Sequence, residues 1–221
     1  TAIDSNNDDL VIENDNHAGI TISTPNDKAG GLYFSDPDDA ASGRIVHDHN
    51  ANTMTFQAGN LEFLRTDSSR KLSTGGEDAP DCDAGGLTLD QNANDAKILT
   101  MKSSDVAHGI TSNAETDTYA EFSKASSGSG GLLIETFMET VSSFILNAHH
   151  TSENTTQART GFDSAIRLNT VLKSGTGGTS HGASANILSV EDDSTARVLF
   201  TGDGDVFSDR TFSDSAFDHY D

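Results

Sequence analysis

Residues 42–56 read SGRIVHDHNANTMTF and contain the pattern that decides the fold. Short alternating runs of apolar and polar residues lie on both sides of Asn50-Ala-Asn52. Such runs are typical of half-buried strands, and asparagine tolerates the left-handed backbone conformation that a tight turn needs. The stretch therefore predicts a β-hairpin whose strands are Arg44–His47 and Thr53–Phe56.

The same kind of run recurs along the chain, separated by Gly, Asn, Asp, Ser and Thr. The runs often begin about 8–12 residues apart, a spacing typical of all-β sandwiches and barrels. We therefore expect an all-β, elongated protein of short antiparallel strands, built as β-sandwich or β-prism modules or as an intertwined β-helix-like structure. The predicted strands outside the hairpin are Leu10–Ile12, Gly19–Ile22, Gly31–Phe34, Leu61–Leu64, Leu87–Leu89, Ile98–Met101, Ala165–Leu168, Asn186–Val190 and Ala196–Phe200.

One segment, Leu132–Ala148, allows two interpretations. Its apolar residues have helical spacing, but the segment also divides into two strands, Leu132–Phe137 and Ser143–Ala148, joined by a turn. The preceding Gly130-Gly131 and the β-rich neighbours favour the two strands. Three modules follow from the positions of the Gly-rich breaks: residues 1–72, a middle β or linker module at 73–131, and a C-terminal β module at 132–221.

The charge of the chain limits its partners. Thirteen Lys and Arg stand against 35 Asp and Glu, which gives a net charge of −22. Such a charge disfavours a nucleic-acid backbone or an anionic membrane as the main partner. No apolar run reaches membrane-spanning length, so we expect no membrane insertion. Cys82 is the single cysteine, which excludes an intrachain disulfide.

Strong core-forming residues are scarce in this sequence. Leu, Ile, Val and Phe together make up about 20% of the chain, which together with the net charge lies at the border of the disordered class. The apolar residues nevertheless occur in ordered short runs. We therefore expect other copies of the chain to supply part of the core, so that the protein is a homo-oligomer.

Two regions resemble segments found in structural proteins of tailed phages, especially marine ones. The resemblance implies a tail-fibre or related virion-appendage protein, trimeric, with intertwined β-structure. It also implies a location in the virion and outside cells, with other virion proteins and a host-surface glycan or protein as partners. The matching residues are Asp8–Asn14, Gly19–Ile22, Gly31–Asp36, Gly43–His49, Asn52–Phe56, Leu61–Arg65, Gly131–Ile134, Leu172–Gly177, Asn186–Val190 and Thr195–Gly204.

The resulting expectation is a non-enzymatic structural protein that provides spacing and host-surface attachment through a rigid oligomeric rod. Two alternatives stay open. One is a subunit of a microbial cell-surface or extracellular filament or adhesin. The other is a polysaccharide-degrading tailspike, which would need two carboxylates at a fixed separation. With 35 acidic residues, the sequence does not select such a pair.

His47 and His49 are the candidate metal ligands. Residues two apart on a strand lie about 6.6–6.8 Å apart on one face. Around a three-fold axis, three such pairs would present six imidazoles, a set that suits an octahedral transition metal such as iron or nickel. The alternative is that both histidines are ordinary residues of the hairpin.

Three weaker candidates remain. His149 and His150 are adjacent, so on a strand they would face opposite ways. Residues 178–182, GTSHG, match the Gly-x-Ser-x-Gly pattern of a nucleophile elbow, but no strand–turn–helix context surrounds them. Acidic clusters supply oxygen ligands of the kind that Ca²⁺ prefers, although turn residues are the simpler interpretation. The clusters are Asp36–Asp39, Asp192-Asp193 and Asp203–Asp205.

Overall fold

A computed structural model describes residues 12, 14–152, 155 and 164–209 of the chain. Strands account for 39% of the described residues, and none of these residues is helical. The prediction of an all-β chain of short strands is confirmed. The chain divides into two compact units between Ile145 and Leu146.

The first unit contains a six-stranded sheet, with the strands in the order in which they occur along the chain. Neighbouring strands are antiparallel, except that the last two are parallel. The strands are β1 (Ala29–Phe34), β2 (Gly43–Asp48), β3 (Thr53–Ala58), β4 (Leu61–Thr66), β5 (Leu72–Thr74) and β6 (Leu87–Thr88). We call this the first sheet.

The hairpin predicted from residues 42–56 is confirmed as β2 and β3. Ile45 lies opposite Phe56 in the antiparallel register. Asn52 has a φ of 52°, in the left-handed region expected for a turn asparagine. The Asp48 carboxylate accepts hydrogen bonds from the backbone N–H groups of Asn50, at 2.8 Å, and Ala51, at 3.2 Å. The turn is therefore specified by its own polar residues.

The second sheet of this unit has three antiparallel strands: β7 (Leu99–Lys102), β8 (Thr118–Ser126) and β9 (Gly130–Thr136). β9 confirms the first of the two strands predicted within Leu132–Ala148. The second, Ser143–Ala148, is wrong, because these residues form neither strand nor helix. Phe144, Ile145 and Leu146 are all exposed, and a strand without a neighbour has no partner for its backbone hydrogen bonds.

The second unit contains a two-stranded and a three-stranded sheet, both antiparallel. The pair is β10 (Leu172–Ser174) with β11 (Gly177–Thr179). The third sheet, as we call it, joins β12 (Asn186–Asp192), β13 (Thr195–Thr201) and β14 (Val206–Ser208).

Two more predicted strands, Gly19–Ile22 and Ala165–Leu168, are not strands in the structure. Their apolar residues alternate, but no described strand pairs with them. The predicted strand Leu10–Ile12 lies outside the described residues except for Ile12. The remaining predicted strands are present, with ends shifted by a few residues.

The sheets cross the boundaries of the three predicted modules. The boundary at 72/73 falls within β5, and the boundary at 131/132 falls within β9. The division into compact units at 145/146 therefore differs from the division that the Gly-rich breaks indicated.

Among the described residues, the buried side chains are mostly polar and many large apolar side chains are exposed, which is the reverse of a conventional hydrophobic core. Phe137, with 7% of its surface exposed, is the one large apolar residue that is buried in this part of the chain. The other buried side chains are mostly polar: Thr53, Thr55, Ser73, Thr118, Glu121 and Thr201. No helix of the described residues is long and apolar enough to cross a membrane.

Candidate functional site

Most side chains on one face of the first sheet are apolar. Residues that pair across strands point to the same side of a sheet, and the register aligns Leu32, Ile45, Phe56 and Leu64 in one row across β1–β4. Neighbouring rows add further apolar residues. We call this surface the apolar face; its large members are Leu32, Phe34, Ile45, Met54, Phe56, Leu61, Phe63, Leu64, Leu72 and Leu87.

A β-bulge adds Phe63 to the apolar face. The register of β3 and β4 shifts between Phe56 and Gln57, so that Phe63 is the extra residue on β4. A bulge of this kind changes the direction of a side chain. The Phe63 ring accordingly lies 6.4 Å from the Phe56 ring, measured between centroids.

The opposite face of the first sheet is polar and satisfied within the chain. Arg44 Nε donates to Gln57 Oε1 at 2.7 Å, and Arg65 makes two hydrogen bonds to Glu62, at 2.6 and 2.8 Å. The hydrogen bonding to Glu62 raises the pKa of Arg65. Ser73 is almost fully buried and donates from Oγ to the Glu77 carbonyl at 2.7 Å. The polar face therefore needs no further partner, whereas the described residues leave much of the apolar face exposed.

His47 and His49 lie together at one end of the apolar face. Their ring centroids are 4.7 Å apart and the rings meet edge to face, at 78°. His47 pairs across the strands with Gly30 and Met54. The two rings are therefore neighbours, and metal binding by them stays a prediction.

A cavity of about 310 Å³ lies beside the histidine pair, between the sheet and the segment that contains Ile20 and Ile22. Gly30 allows this segment to approach, since a Cβ there would lie 3.2 Å from Ile22 Cγ2. In the described part of the chain, no group of three or more His, Cys, Asp or Glu side chains could hold a metal ion. One chain thus contributes two imidazoles, and the predicted metal site requires further copies.

The metal prediction has a direct test. If copies bring the histidines together, the assembled protein is expected to bind Ni²⁺ or Fe²⁺, and the double substitution His47→Ala/His49→Ala should remove that binding. The metal content of the protein is measured after dialysis against a buffer that contains each ion at micromolar concentration. His149→Ala/His150→Ala is the matched control. Equal metal content in both double variants would contradict the prediction.

The second and third sheets repeat this design on a smaller scale. Leu99, Phe122 and Ile134 align across β7, β8 and β9, and Leu132 extends the same face. In the third sheet the corresponding large side chains are Leu188, Val190, Val198, Phe200 and Val206. Leu99, Leu132, Ile134, Leu188, Val190 and Val206 are exposed. Each of the three larger sheets therefore has an apolar face that the described residues leave uncovered.

A charged cluster that the sequence did not reveal lies on the other face of the second sheet. Glu121 on β8 pairs across the strands with Glu135 on β9. The Lys97 ammonium contacts both carboxylates, with 2.8 Å to Glu135 Oε2. Glu121 is 3% exposed. Lys97 therefore neutralises a buried carboxylate that lies beside a second one, and the cluster holds β8 and β9 to the segment before β7.

The Lys97–Glu121–Glu135 cluster predicts that the fold loses stability at acid pH. The hydrogen bond from Lys97 is the largest cause that lowers the pKa of Glu135 below its ordinary 4.5. A carboxylate with a lowered folded-state pKa stabilises the fold above its unfolded pKa, and this contribution is lost as the pH falls through the lowered value. We expect the thermal midpoint to fall between about pH 5 and pH 3, and less steeply in Glu135→Gln. If the thermal midpoint falls with pH equally in the unchanged protein and in Glu135→Gln, this assignment is contradicted.

The Lys97–Glu121–Glu135 cluster also makes the stability of the fold depend on pH in the alkaline range. The pKa of Lys97 is raised, first by its hydrogen bond to Glu121 and then by that to Glu135. A group whose pKa is raised in the folded state stabilises the fold below its ordinary pKa, which is 10.5 for lysine. This contribution is lost as the pH rises through the raised pKa. The cluster is therefore fully effective across neutral pH.

The described residues form no functional site around the weaker candidates His149, His150 and Ser180. His149 and His150 are exposed and lie outside the described strands. Ser180 follows the short strand β11, and no helix follows it within the described residues 164–209. A nucleophile elbow needs that helix, so residues 178–182 lack its structural context.

The acidic clusters form turns. Asp36 Oδ1 accepts hydrogen bonds from the backbone N–H groups of Asp38 and Asp39, both at 2.9 Å. Asp193 and Ser194, with φ of 44° and 64°, form the two-residue turn between β12 and β13. The hydrogen bonds of Asp36 and the positive φ of Asp193 identify both as ordinary turn residues.

Asp203 lies beside a cavity of about 330 Å³ that Asp205 and Phe207 also line. Thr201 Oγ1 donates to Asp203 Oδ1 at 2.5 Å, and this hydrogen bond is the main cause that lowers the pKa of Asp203. The carboxylate is therefore ionised at neutral pH. Calcium binding at any of these clusters stays a prediction.

Comparison of the chain with models of protein families, with curated proteins and with solved structures finds no match in any of the three.

Proposed function

We propose that this chain is a non-enzymatic structural subunit of a virion appendage of the tail-fibre or stalk type, and that it works as a homotrimer outside cells. One observation carries the proposal: all three larger sheets have an apolar face that the described chain leaves uncovered. A subunit that contains its own core would not need such faces, whereas a subunit of a shared-core rod does.

The energetic reason is the hydrophobic effect. Each exposed apolar Å² removed from water contributes about 25 cal/mol, and soluble monomers rarely expose contiguous apolar patches larger than a few hundred Å². Association of copies covers such patches. It also pairs or covers exposed sheet edges, which otherwise promote uncontrolled aggregation.

The virion assignment rests on the sequence resemblance within residues 8–65 and 131–204. In this proposal the partners are other virion proteins at the attachment point and a glycan or protein on the host surface. A rigid rod of several identical chains presents several identical contacts, so weak single contacts combine into firm attachment. The net charge of −22 suits a medium rich in salt or divalent cations, in which charge repulsion is screened.

A subunit of a microbial surface filament is the alternative that the same apolar faces support. The two functions differ in symmetry, because a fibre closes around an axis whereas a filament adds subunits without limit. Electron microscopy of the purified protein distinguishes them. Rods of one length support the appendage; threads that lengthen with protein concentration support the filament.

The location is tested with antibodies against this chain on intact virus particles from the producing culture. The proposal predicts gold label on tails or other appendages. Label on cell surfaces with none on particles would overturn it. Release of sugar from host polysaccharide by the purified protein would instead support the tailspike and overturn the non-enzymatic assignment.

A further inference from the structure

We infer that the apolar face of the first sheet is the main contact surface between copies of this chain, and that its occupant is a second copy of the same chain. The inference rests on the proposed oligomeric function and adds to it the surface and the residues through which the copies meet. Three observations support it: area, charge and the state of the opposite face.

The exposed apolar area of the first sheet is close to what one partner buries in a standard interface. Seven side chains of the apolar face have exposed fractions between 36% and 74%. At about 200 Å² for a fully exposed large side chain, they amount to roughly 700 Å². A standard interface buries about 800 Å² on each partner. The seven side chains are Leu32, Phe34, Met54, Leu61, Phe63, Leu72 and Leu87.

The other two sheets offer less area. On the second sheet the exposed members are Leu99, Leu132 and Ile134, and on the third they are Leu188, Val190 and Val206. By the same measure each set amounts to roughly 300 Å². That is the size of the largest apolar patch on an ordinary monomer. Of the three, the first sheet alone approaches the area that stable association needs.

Charge selects the same face. Two copies that each have a net charge of −22 repel each other. The four charged residues of β1–β6 are Arg44, Asp48, Glu62 and Arg65, and the register places all four on the opposite, polar face. The strands therefore contribute no charge to the apolar face, so copies can approach there without burying an unpaired charge. On the second sheet, by contrast, Lys124 lies opposite Leu132 on the apolar side.

The polar face does not compete for the contact. Its arginines are paired, and Thr53, Thr55 and Ser73 are already buried within the chain. The segment with Ile20 and Ile22 lies over the end of the apolar face that contains Gly30 and the histidine pair, and both isoleucines are exposed. At the opposite end, Phe34 and Leu61 lie in one row, and the described part of the chain leaves both exposed. A second copy of the chain presents the matching uncharged surface.

The test is sedimentation of the full chain over a range of concentrations. Leu61 is 74% exposed, so Leu61→Glu should leave the fold of a single chain intact while placing a charge within the contact. We expect association at least about 100-fold weaker than in the unchanged protein. Phe34→Glu, in the same row, is a second variant with the same expected result.

Two control variants make the outcome specific. Val141→Glu introduces the same charge at a position that is 97% exposed and outside the described sheets, and it should change association less than about 3-fold. Leu132→Glu places the charge on the second sheet and should weaken association less than Leu61→Glu. Circular dichroism confirms that each variant retains its strands.

The inference and the proposed function fail differently. If Leu61→Glu and Phe34→Glu associate like the unchanged protein while Leu132→Glu dissociates, the contact lies elsewhere and the inference is overturned, but the oligomeric function stands. If the unchanged protein is itself a folded monomer, the proposed function fails. If it associates only with a different protein, the occupant of the apolar face is not a second copy and the inference is again overturned.

Discussion

Replacing Lys97 by methionine is expected to lower the free energy of unfolding by about 2–3 kcal/mol, because it leaves the buried Glu121 carboxylate without its counter-charge. The Lys97 side chain is 32% exposed, which moderates the loss, whereas that of Glu121 is 4% exposed. The substitution also leaves Glu121 beside the like charge of Glu135. Urea denaturation at fixed chain concentration measures the change.

Two further variants make this prediction specific. Lys102→Met removes a lysine from β7 whose partners Glu115 and Asp117 are well exposed, so it should change the midpoint little. Adding Glu121→Gln to Lys97→Met removes the unpaired buried charge and should recover part of the lost stability. A loss in Lys102→Met as large as in Lys97→Met, or no recovery in the double variant, would contradict the role of the cluster.

Gly75→Ala is expected to destabilise the first unit by about 3 kcal/mol, since it combines a strained backbone with a steric clash. Gly75 has a φ of 67°. A Cβ at this position would collide with the Asp90 carbonyl oxygen and approach Asn92 Nδ2 to 2.9 Å. Asn92 Nδ2 donates to the Gly75 carbonyl at 2.8 Å. The substitution should therefore separate the 90–92 segment from the end of β5.

Gly76→Ala is the matched control for Gly75→Ala. Gly76 also has a positive φ, of 84°, but a Cβ there would have no atom within 4 Å. Backbone strain alone should cost about 1 kcal/mol. Thermal and urea denaturation of the two variants separate strain from collision. Equal losses would show that the contact with Asp90 is not what makes Gly75 sensitive.

Local sequence patterns predicted the fold where the partner strand is close along the chain. Residues 42–56 contain both strands and their turn, so alternation and the Asn52 turn suffice to predict β2 and β3. Ser143–Ala148 and Gly19–Ile22 show similar apolar runs but are not strands. A short apolar run becomes a strand only if another strand supplies its hydrogen bonds, and the sequence does not show whether one is available.

The candidate site was predictable only in part, for a related reason. The two-residue period of a strand predicted that His47 and His49 share a face, and the shortage of core residues predicted an incomplete core. The Lys97–Glu121–Glu135 cluster depends on the register of β8 with β9 and on a contact across 38 residues between Lys97 and Glu135. No local pattern encodes such a pairing, and the bulge that directs Phe63 to the apolar face is equally hidden.

The central claim is that the apolar faces are buried between copies of the chain, and the molar mass in solution tests it most directly. Light scattering on the purified 221-residue chain, coupled to size-exclusion chromatography, should give three times 23.3 kDa, or about 70 kDa, independent of concentration. A folded protein that elutes at 23.3 kDa at every concentration would contradict the claim.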